Sequence, residues 1–491
     1  MSAGFDLIVR NADIATATDR YHADIGVSNG VITAIAGSLS PQDLAPGGRC
    51  IDAQGRLVTP GGVDSHCHIS QPMTDGSVCA DDFASGSRSA AAGGTTTFVP
   101  FALQQRGQSL REALAAYHRS AHGQSVIDYA FHMIVSDPTD EVIATEFDWL
   151  VTQGVTSIKI YLTYEDLKLS DRQILRVLAA AKRTGIMTMV HAENFDCIEW
   201  LTEQLLAAGI TEPLGHAMSR PAAVEREATH RAISLAEVMR VPILLVHVSA
   251  ADAIEQIRWA HGRGLRIYGE TCPQYLFLTE DDLALDAGGA RCICSPPPRD
   301  QANQQLVWDG LANGAFEVLS SDHAPFRSGA DGKAVAGPHA GFHQVPNGIP
   351  GLETRLALLM SEGVNAGRID IHRFVALTST QAAKLYGLHP RKGTLAVGSD
   401  ADMVVWHDAV DFTLTNAMLH HAVDYTPYEG MRLTAWPALT LARGEVVWQG
   451  EPGQGEVSDR VGRGQFVSAA LSPMAQVPRR PGARHHWLPK G

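Results

Sequence analysis

The sequence predicts an α/β fold: a (β/α)8 TIM-like barrel with a small β-sandwich domain formed by both chain ends. Three observations carry this. Eight short apolar runs alternate with longer amphipathic stretches through the middle of the chain. Two β-rich ends enclose that middle. The histidines, a lysine and the acids that could do chemistry fall where the apolar runs stop, and barrels of this class keep their active sites at the carboxyl ends of their strands.

In chain order, "FDLIVRNADIATA" and "ADIGVSNGVITAIAG" read as strands, with Asn29-Gly30 marking a tight hairpin. The pattern returns near the other end in "GSDADMVVWH" and "LTLARGEVVWQG", where Arg443-Gly444-Glu445 is a second turn. The expected division is therefore 1–57 and 395–453 for the sandwich, 58–394 for the barrel and 454–491 for a tail. Eight barrel strands are expected in "RLVTPGGVDSH", "TTTFVPF", "IDYAFHMIV", "VTSIKIYL", "IMTMVHAEN", "VPILLVHVSA", "LRIYGETC" and "FEVLSSDHAPF". Among the helical stretches, "DRQILRVLAAAKRTG" has Ser170 as N-cap and Gly185 just past its end. "AAVEREATHRAISLAEVMR" is a second.

A formal charge of −14 over 491 residues, with Lys and Arg scattered, argues against nucleic acid or an anionic membrane surface as partner. No apolar run approaches the roughly 18 residues of a membrane span, and "MSAGFDLIVRN" lacks the apolar centre of a secretory signal. Seven cysteines without a repeated spacing fit reduced thiols and a cytoplasmic location. Cys292-x-Cys294 lacks the second half of a metal site, so packing is its expected role.

The first run ends at His66 and His68, the fourth at Lys159, the fifth at His191, the sixth at His247 and the eighth at Asp322. Alternate residues of a strand share a face, so His66 and His68 can aim together into the barrel mouth. The other groups would arrive from across it. Imidazole nitrogen and carboxylate oxygen suit Zn²⁺, with Mn²⁺, Fe²⁺ and Co²⁺ as alternatives. Lys159 sits in an apolar strand, where burial lowers an amine's pKa. It is open to two readings: a salt bridge, or a neutral amine converted by CO2 to a metal-bridging carbamate. Asp64 is expected to orient a neighbouring group or cap a turn, without a chemical role. Glu270 is a weaker candidate, and Asp81 and Asp82 are expected as solvated loop carboxylates. His323 beside Asp322 is either one half of a dyad or a support for the site. His420-His421 and His485-His486 are expected at the surface or an interface.

In "VDSHCH", "SIKIY", "HAEN", "LLVHVS" and "SSDHAPF", in this order, the chain resembles the cyclic amidohydrolases. "GHAMSRP", "IKIYLTY", "VPNGIPGLETRL" and "HPRKGTLAVGSDADMVVW" point to the dihydropyrimidinase and D-hydantoinase branch, and the likeness runs from about Asp6 to Gly450. The resemblance implies two divalent metal ions, Zn²⁺ foremost, bridged by an N6-carboxylated Lys159 and a hydroxide. By position His66, His68, Lys159 and Asp322 would hold one, and His191, His247 and Lys159 the other. It further implies that Asp322 shuttles a proton, that Tyr164 binds the substrate carbonyl, and that Ser295 and Asn347 hold the ring. The implied substrate is a small cyclic amide, opened to an N-carbamoyl amino acid. The implied assembly is a homotetramer, with a dimer as the alternative, in which the tail with Trp487 could pack on a neighbour.

Dihydroorotases and allantoinases usually carry an arginine shortly after the His-x-His pair. Here Ile69, Ser70, Gln71 and Pro72 follow, so a substrate carboxylate loses its obvious anchor and neutral imides and ureides are favoured. "QPMTDGSVCADDF" is expected to form a substrate-gating loop of its own composition, and "FALQQRGQ" also departs from the branch. The alternatives are another cyclic amidohydrolase (allantoinase, dihydroorotase or imidase), a one-metal deaminase, and a non-catalytic dihydropyrimidinase-related scaffold.

Overall fold

The computed structural model describes residues 4–476 apart from 74, 76, 286, 287 and 338. Both ends of the chain build one nine-stranded sheet. Phe5–Ala15, Arg20–Ser28, Val31–Ala36, Leu44–Asp52 and Leu57–Pro60 come from the N-terminal side, and Met403–Trp406, Pro437–Ala442, Glu445–Glu451 and Gln454–Val457 from the other. The two ends join where Met403–Trp406 pairs antiparallel with Leu57–Pro60. Leu7, Val9, Ile14, Val405 and Leu441 share its apolar core. Asn29-Gly30 and Arg443-Gly444 both take positive φ at each turn residue, the conformation that two-residue hairpins of this twist demand.

The barrel forms from the eight apolar runs. Its strands are Gly62–Cys67, Thr95–Leu103, His132–Ile134, Ser157–Tyr161, Met187–His191, Ile243–Leu245, Ile267–Thr271 and Val318–Leu319, all parallel in sequential order. They read as continuous apolar runs because helices cover one face and the packed interior the other. The ring closes through a parallel bridge between Cys67 and His323, with the His68 amide donating to the His323 carbonyl at 2.7 Å. The stretch read as one strand from Arg56 is two: Leu57–Pro60 stays in the small sheet, and Gly62–Cys67 opens the barrel. Gly61 makes the passage, since a Cβ there would lie 2.2 Å from Thr96 Oγ1.

Ser170 caps the helix Asp171–Thr184 by accepting from the Gln173 amide, and Gly185 ends it in the left-handed region at φ 80°. All seven cysteines are free, and Cys292 and Cys294 are buried in apolar packing. No helix among the described residues is long and apolar enough to cross a membrane.

Residues 462–476 run along the barrel's own N-terminal face. Tyr129 and Phe466 form a bridge, Val467 donates to the Tyr129 carbonyl and Ala469 to that of Gly154. This part of the expected tail therefore packs on its own chain; His485, His486 and Trp487 lie outside the described residues.

A buried charge cluster bolts the sheet to that same end. Lys392 Nζ lies 2.7 Å from Asp128, 2.9 Å from Asp400 and 2.8 Å from Asp402, while Arg443 Nε lies 3.0 Å from Asp128. Removing one partner of such a cluster strands buried charge. Lys392→Met should lower the unfolding free energy by about 3–5 kcal/mol, read from the urea midpoint, with kcat of the folded fraction unchanged.

Candidate metal centre and active site

The six side chains expected at the strand ends converge at the carboxyl rim of the barrel. His66 Nε2 lies 2.8 Å from Lys159 Nζ and 3.1 Å from Asp322 Oδ1, which is itself 3.4 Å from His68 Nε2. Ligand atoms of His66, His68 and Asp322 all lie within 4.8 Å of one another. Across the mouth, His191 Nδ1 faces His247 Nε2 at 2.9 Å, and the rings of His66 and His247 are 5.4 Å apart. Lys159, His66, His191 and His247 are buried, and His68 and Asp322 face the cavity.

Each imidazole presents one nitrogen to the centre, and three of the four anchor the other behind it. His66 Nδ1 bonds Glu270 at 2.6 Å, His68 Nδ1 bonds Gln71 at 2.5 Å, and His191 Nε2 bonds Glu193 at 2.8 Å. Metal-binding histidines are held in this way, their outer nitrogens fixing tautomer and ring orientation. Glu270, only a weak candidate by sequence, is thus a support for His66, and its same oxygen accepts the His247 amide at 3.3 Å. Gln71 and Glu193 had no signal beyond their nearness to His68 and His191 in sequence. The outer nitrogen of His247, Nδ1, is buried and has no partner among the described residues.

The electrostatics follow from this crowding. Burial is the largest influence on Lys159 and pushes its amine down to about 8, against the opposing pull of Asp322 and Glu270. Burial alone would raise Asp322, but the charge and hydrogen bond of His66 and the hydrogen bond of His68 outweigh it and hold the carboxyl well below its ordinary range. Burial keeps His191 and His247 well below the usual imidazole value, hence neutral and able to donate a lone pair. Four imidazoles, an amine and one carboxylate, each within 3.4 Å of another member of the set, fit a divalent cation because the inward atoms are mostly lone-pair donors.

Three residues here adopt left-handed backbone: Tyr164 at φ 64°, His247 at φ 39° and Asp322 at φ 46°. Non-glycine residues rarely do so, and such strain collects at functional sites. A cavity of about 840 Å³ opens over the cluster, and Tyr164, Ser295 and Asn347 line it. Tyr164 Oη accepts from Asn347 Nδ2 at 3.5 Å. The gating segment is represented by Gln71, Met73, Asp75 and Cys79 at the same cavity, and the "FALQQRGQ" segment by Gln104 to Arg106.

Other expectations change. Asp64 is buried, 3.4 Å from Arg355, and accepts from the amides of His66 and Ser321. It ties the first strand to the segment that follows the eighth. Asp81 is fully buried, not solvated: it pairs with His323 Nε2 at 3.1 Å and accepts the Ala422 amide. His323 turns away from the metal cluster, its Nδ1 accepting from Gly351 at 3.1 Å, so it supports the rim rather than forming a dyad with Asp322. Asp82 caps the helix Phe83–Ala92. His420 and His421 are half-buried, bonded to Glu353 and Asn416.

Residues 57–447 match the model of the amidohydrolase family. The chain belongs to that family. This amidohydrolase is 42% identical over 462 residues to a D-hydantoinase of Rhizobium radiobacter, covering 93% of this chain and 99% of that protein. The crystal structure of a dihydropyrimidinase from Brevibacillus agri superposes with a TM-score of 0.90 at 40% identity, over 95% of this chain and 99% of that one. An L-hydantoinase (dihydropyrimidinase) from Arthrobacter aurescens superposes with a TM-score of 0.84 at 31% identity, over 94% and 99%.

Proposed function

We propose that this amidohydrolase opens the amide bond of neutral cyclic ureides and imides, of the hydantoin and dihydropyrimidine type, to give N-carbamoyl amino acids. The observation that carries the reading is the convergence of His66, His68, Lys159, His191, His247 and Asp322 on one point of the barrel rim, in a chain similar over nearly its whole length to D-hydantoinases. His66, His68, Lys159 and Asp322 would hold one divalent ion, and His191, His247 and Lys159 the other, with Zn²⁺ favoured by the donor set. Such a metal pair lowers the pKa of water towards about 7 and polarises the carbonyl.

The chain's own groups account for the rest. Lys159, with its depressed amine, is suited to lose its ammonium proton and add to CO2 through a new N–C bond; loss of a second proton to solvent leaves a carbamate anion between the two halves of the histidine set. Asp322, held ionised beside His66 and His68, accepts the proton that the attacking water loses and returns it to the ring nitrogen as the C–N bond breaks. Tyr164 donates to the carbonyl oxygen as it gains charge. Ser295 and Asn347 hold the opposite edge of the ring.

None of Ile69, Ser70, Gln71 and Pro72, which follow the His-x-His pair, is a substrate-clamping arginine, and Gln71 is occupied with His68. Arg220 reaches the cavity, but its Nη1 lies 3.2 Å from His216 and its Nε 3.9 Å from Glu193, which compete for it. Turnover of dihydrouracil, hydantoin, phenylhydantoin, dihydroorotate, allantoin and simple cyclic imides, with elemental analysis of the same preparation, tests the proposal. Ring opening of hydantoin or dihydrouracil, with roughly two metals per chain, is the expected result. Fast dihydroorotate cleavage would remove the argument from the missing arginine; a metal-free, inactive protein would favour a scaffold. We further propose a homotetramer, with a dimer as the alternative, as the family resemblance implies, and a cytoplasmic setting, which the seven free cysteines fit.

A further inference from the structure

Lys333 is a lysine in an unusual place. It is 3% exposed, and among the described residues no carboxylate pairs with it. Its Nζ donates to two backbone carbonyls, Ile293 and Pro346, at 2.7 Å each. Those carbonyls belong to two separate segments, the first following the seventh barrel strand and the second the eighth. Ile293 lies two residues before Ser295, and Pro346 lies immediately before Asn347. The same Ile293 carbonyl accepts the Gly348 amide at 3.0 Å, so the two segments meet directly and Lys333 spans the joint.

The lysine is itself fixed. Its amide donates to the Arg327 carbonyl at 2.7 Å, and its Nζ lies 5.8 Å from the centre of the Phe326 ring. Nearby, the Asp331 carbonyl accepts the Val78 amide at 2.8 Å, linking this segment to the loop that lines the cavity through Met73 and Cys79. Burial pushes the Lys333 amine down to about 7. An amine with two acceptors keeps both bonds whether charged or neutral, so the joint survives a change of protonation state.

We propose that Lys333 is a positioning residue for the ring-holding side of the active site: by bonding Ile293 and Pro346 together it sets the spacing between Ser295 and Asn347. The inference rests on the hydantoinase reading, in which those two residues grip the ring. Lys333 touches neither a metal ligand nor the reacting atoms. Loosening the grip weakens ground state and transition state alike, and that raises KM while leaving kcat. A purely structural lysine would give the opposite signature, because fewer folded molecules lower the apparent kcat and leave KM alone.

Lys333→Met keeps the length and removes the donors. With metal-loaded full-length protein and hydantoin or dihydrouracil as substrate, KM should rise on the order of tenfold, with kcat changed less than about threefold and metal content unchanged. Lys333→Gln, which retains a shorter donor, should fall between the variant and the parent. An unchanged KM in folded, active Lys333→Met protein overturns the inference, as does a loss confined to kcat. If neither variant accumulates as folded protein, Lys333 is a stability residue and the inference also fails. An inactive metal-loaded parent sinks the hydantoinase reading instead, so the two failures are told apart in one assay.

Discussion

Asp322→Asn should abolish turnover while leaving the metals in place. The carboxamide keeps the shape of the side chain and an oxygen for coordination, but it cannot accept and return a proton at neutral pH. A positioned general base contributes typically 10²–10⁴-fold, and Asp322 would serve twice in each cycle, so a fall in kcat on the order of 10³-fold or more is expected. Steady-state kinetics with elemental analysis of the same sample decides it. Normal activity in a metal-replete variant would remove Asp322 as the proton carrier. The pH profile carries a second expectation. Because His66 and His68 outweigh burial and depress the Asp322 carboxyl, it is ionised throughout the neutral range. Its protonation should not limit kcat/KM until well into acid.

Lys159→Met should do comparable damage by a different route. The lysine lies in contact with His66 and between the rings of Phe101 and Tyr161, its amine 4.5 and 4.9 Å from their centres. Methionine fills that apolar sleeve without strain but cannot become an anion. The four imidazoles and Asp322 would then carry the whole charge of two cations, and the centre should lose at least one of them. Metal content falling from about two per chain to one or fewer, with kcat down on the order of 10³-fold, is the expected outcome. Full metal occupancy with parental kcat would refute a bridging role. A carbamate signal from ¹³C-labelled CO2, present in the parent and absent in the variant, checks the modification independently.

Much of this site could be read from the amino-acid sequence because its parts are local. Buried parallel strands are apolar runs, and the residue at which each run stops is the residue the barrel delivers to its rim. His66 and His68 share a face by strand periodicity alone, and the two hairpin turns and the Ser170 cap need only their neighbours. What escaped has partners far away in sequence. Asp81 looked like a solvated loop carboxylate because its partner, His323, is 242 residues distant. Asp64 looked idle because Arg355 arrives from a helix after the eighth strand, and Lys333 gave no sign because its acceptors are backbone carbonyls, which every residue possesses. The boundary at Gly61 was blurred for another reason. Two strands of different sheets follow one another with a single residue between them, and both are equally apolar.

The closure of the ring between its first and last strands has a consequence for biosynthesis. The Ser321 hydroxyl donates to the His66 carbonyl across 255 residues of chain, and the Cys67–His323 bridge lies beside it. While the polypeptide is still emerging from the ribosome, the strand that bears His66 and leads to His68 has one open edge, a place where another chain could add. That edge is sealed only after residue 323 has been made. Cation loading therefore belongs to the finished protein, and a nonsense product ending before Val318 should be captured by chaperones or aggregate rather than persist as a half-loaded enzyme.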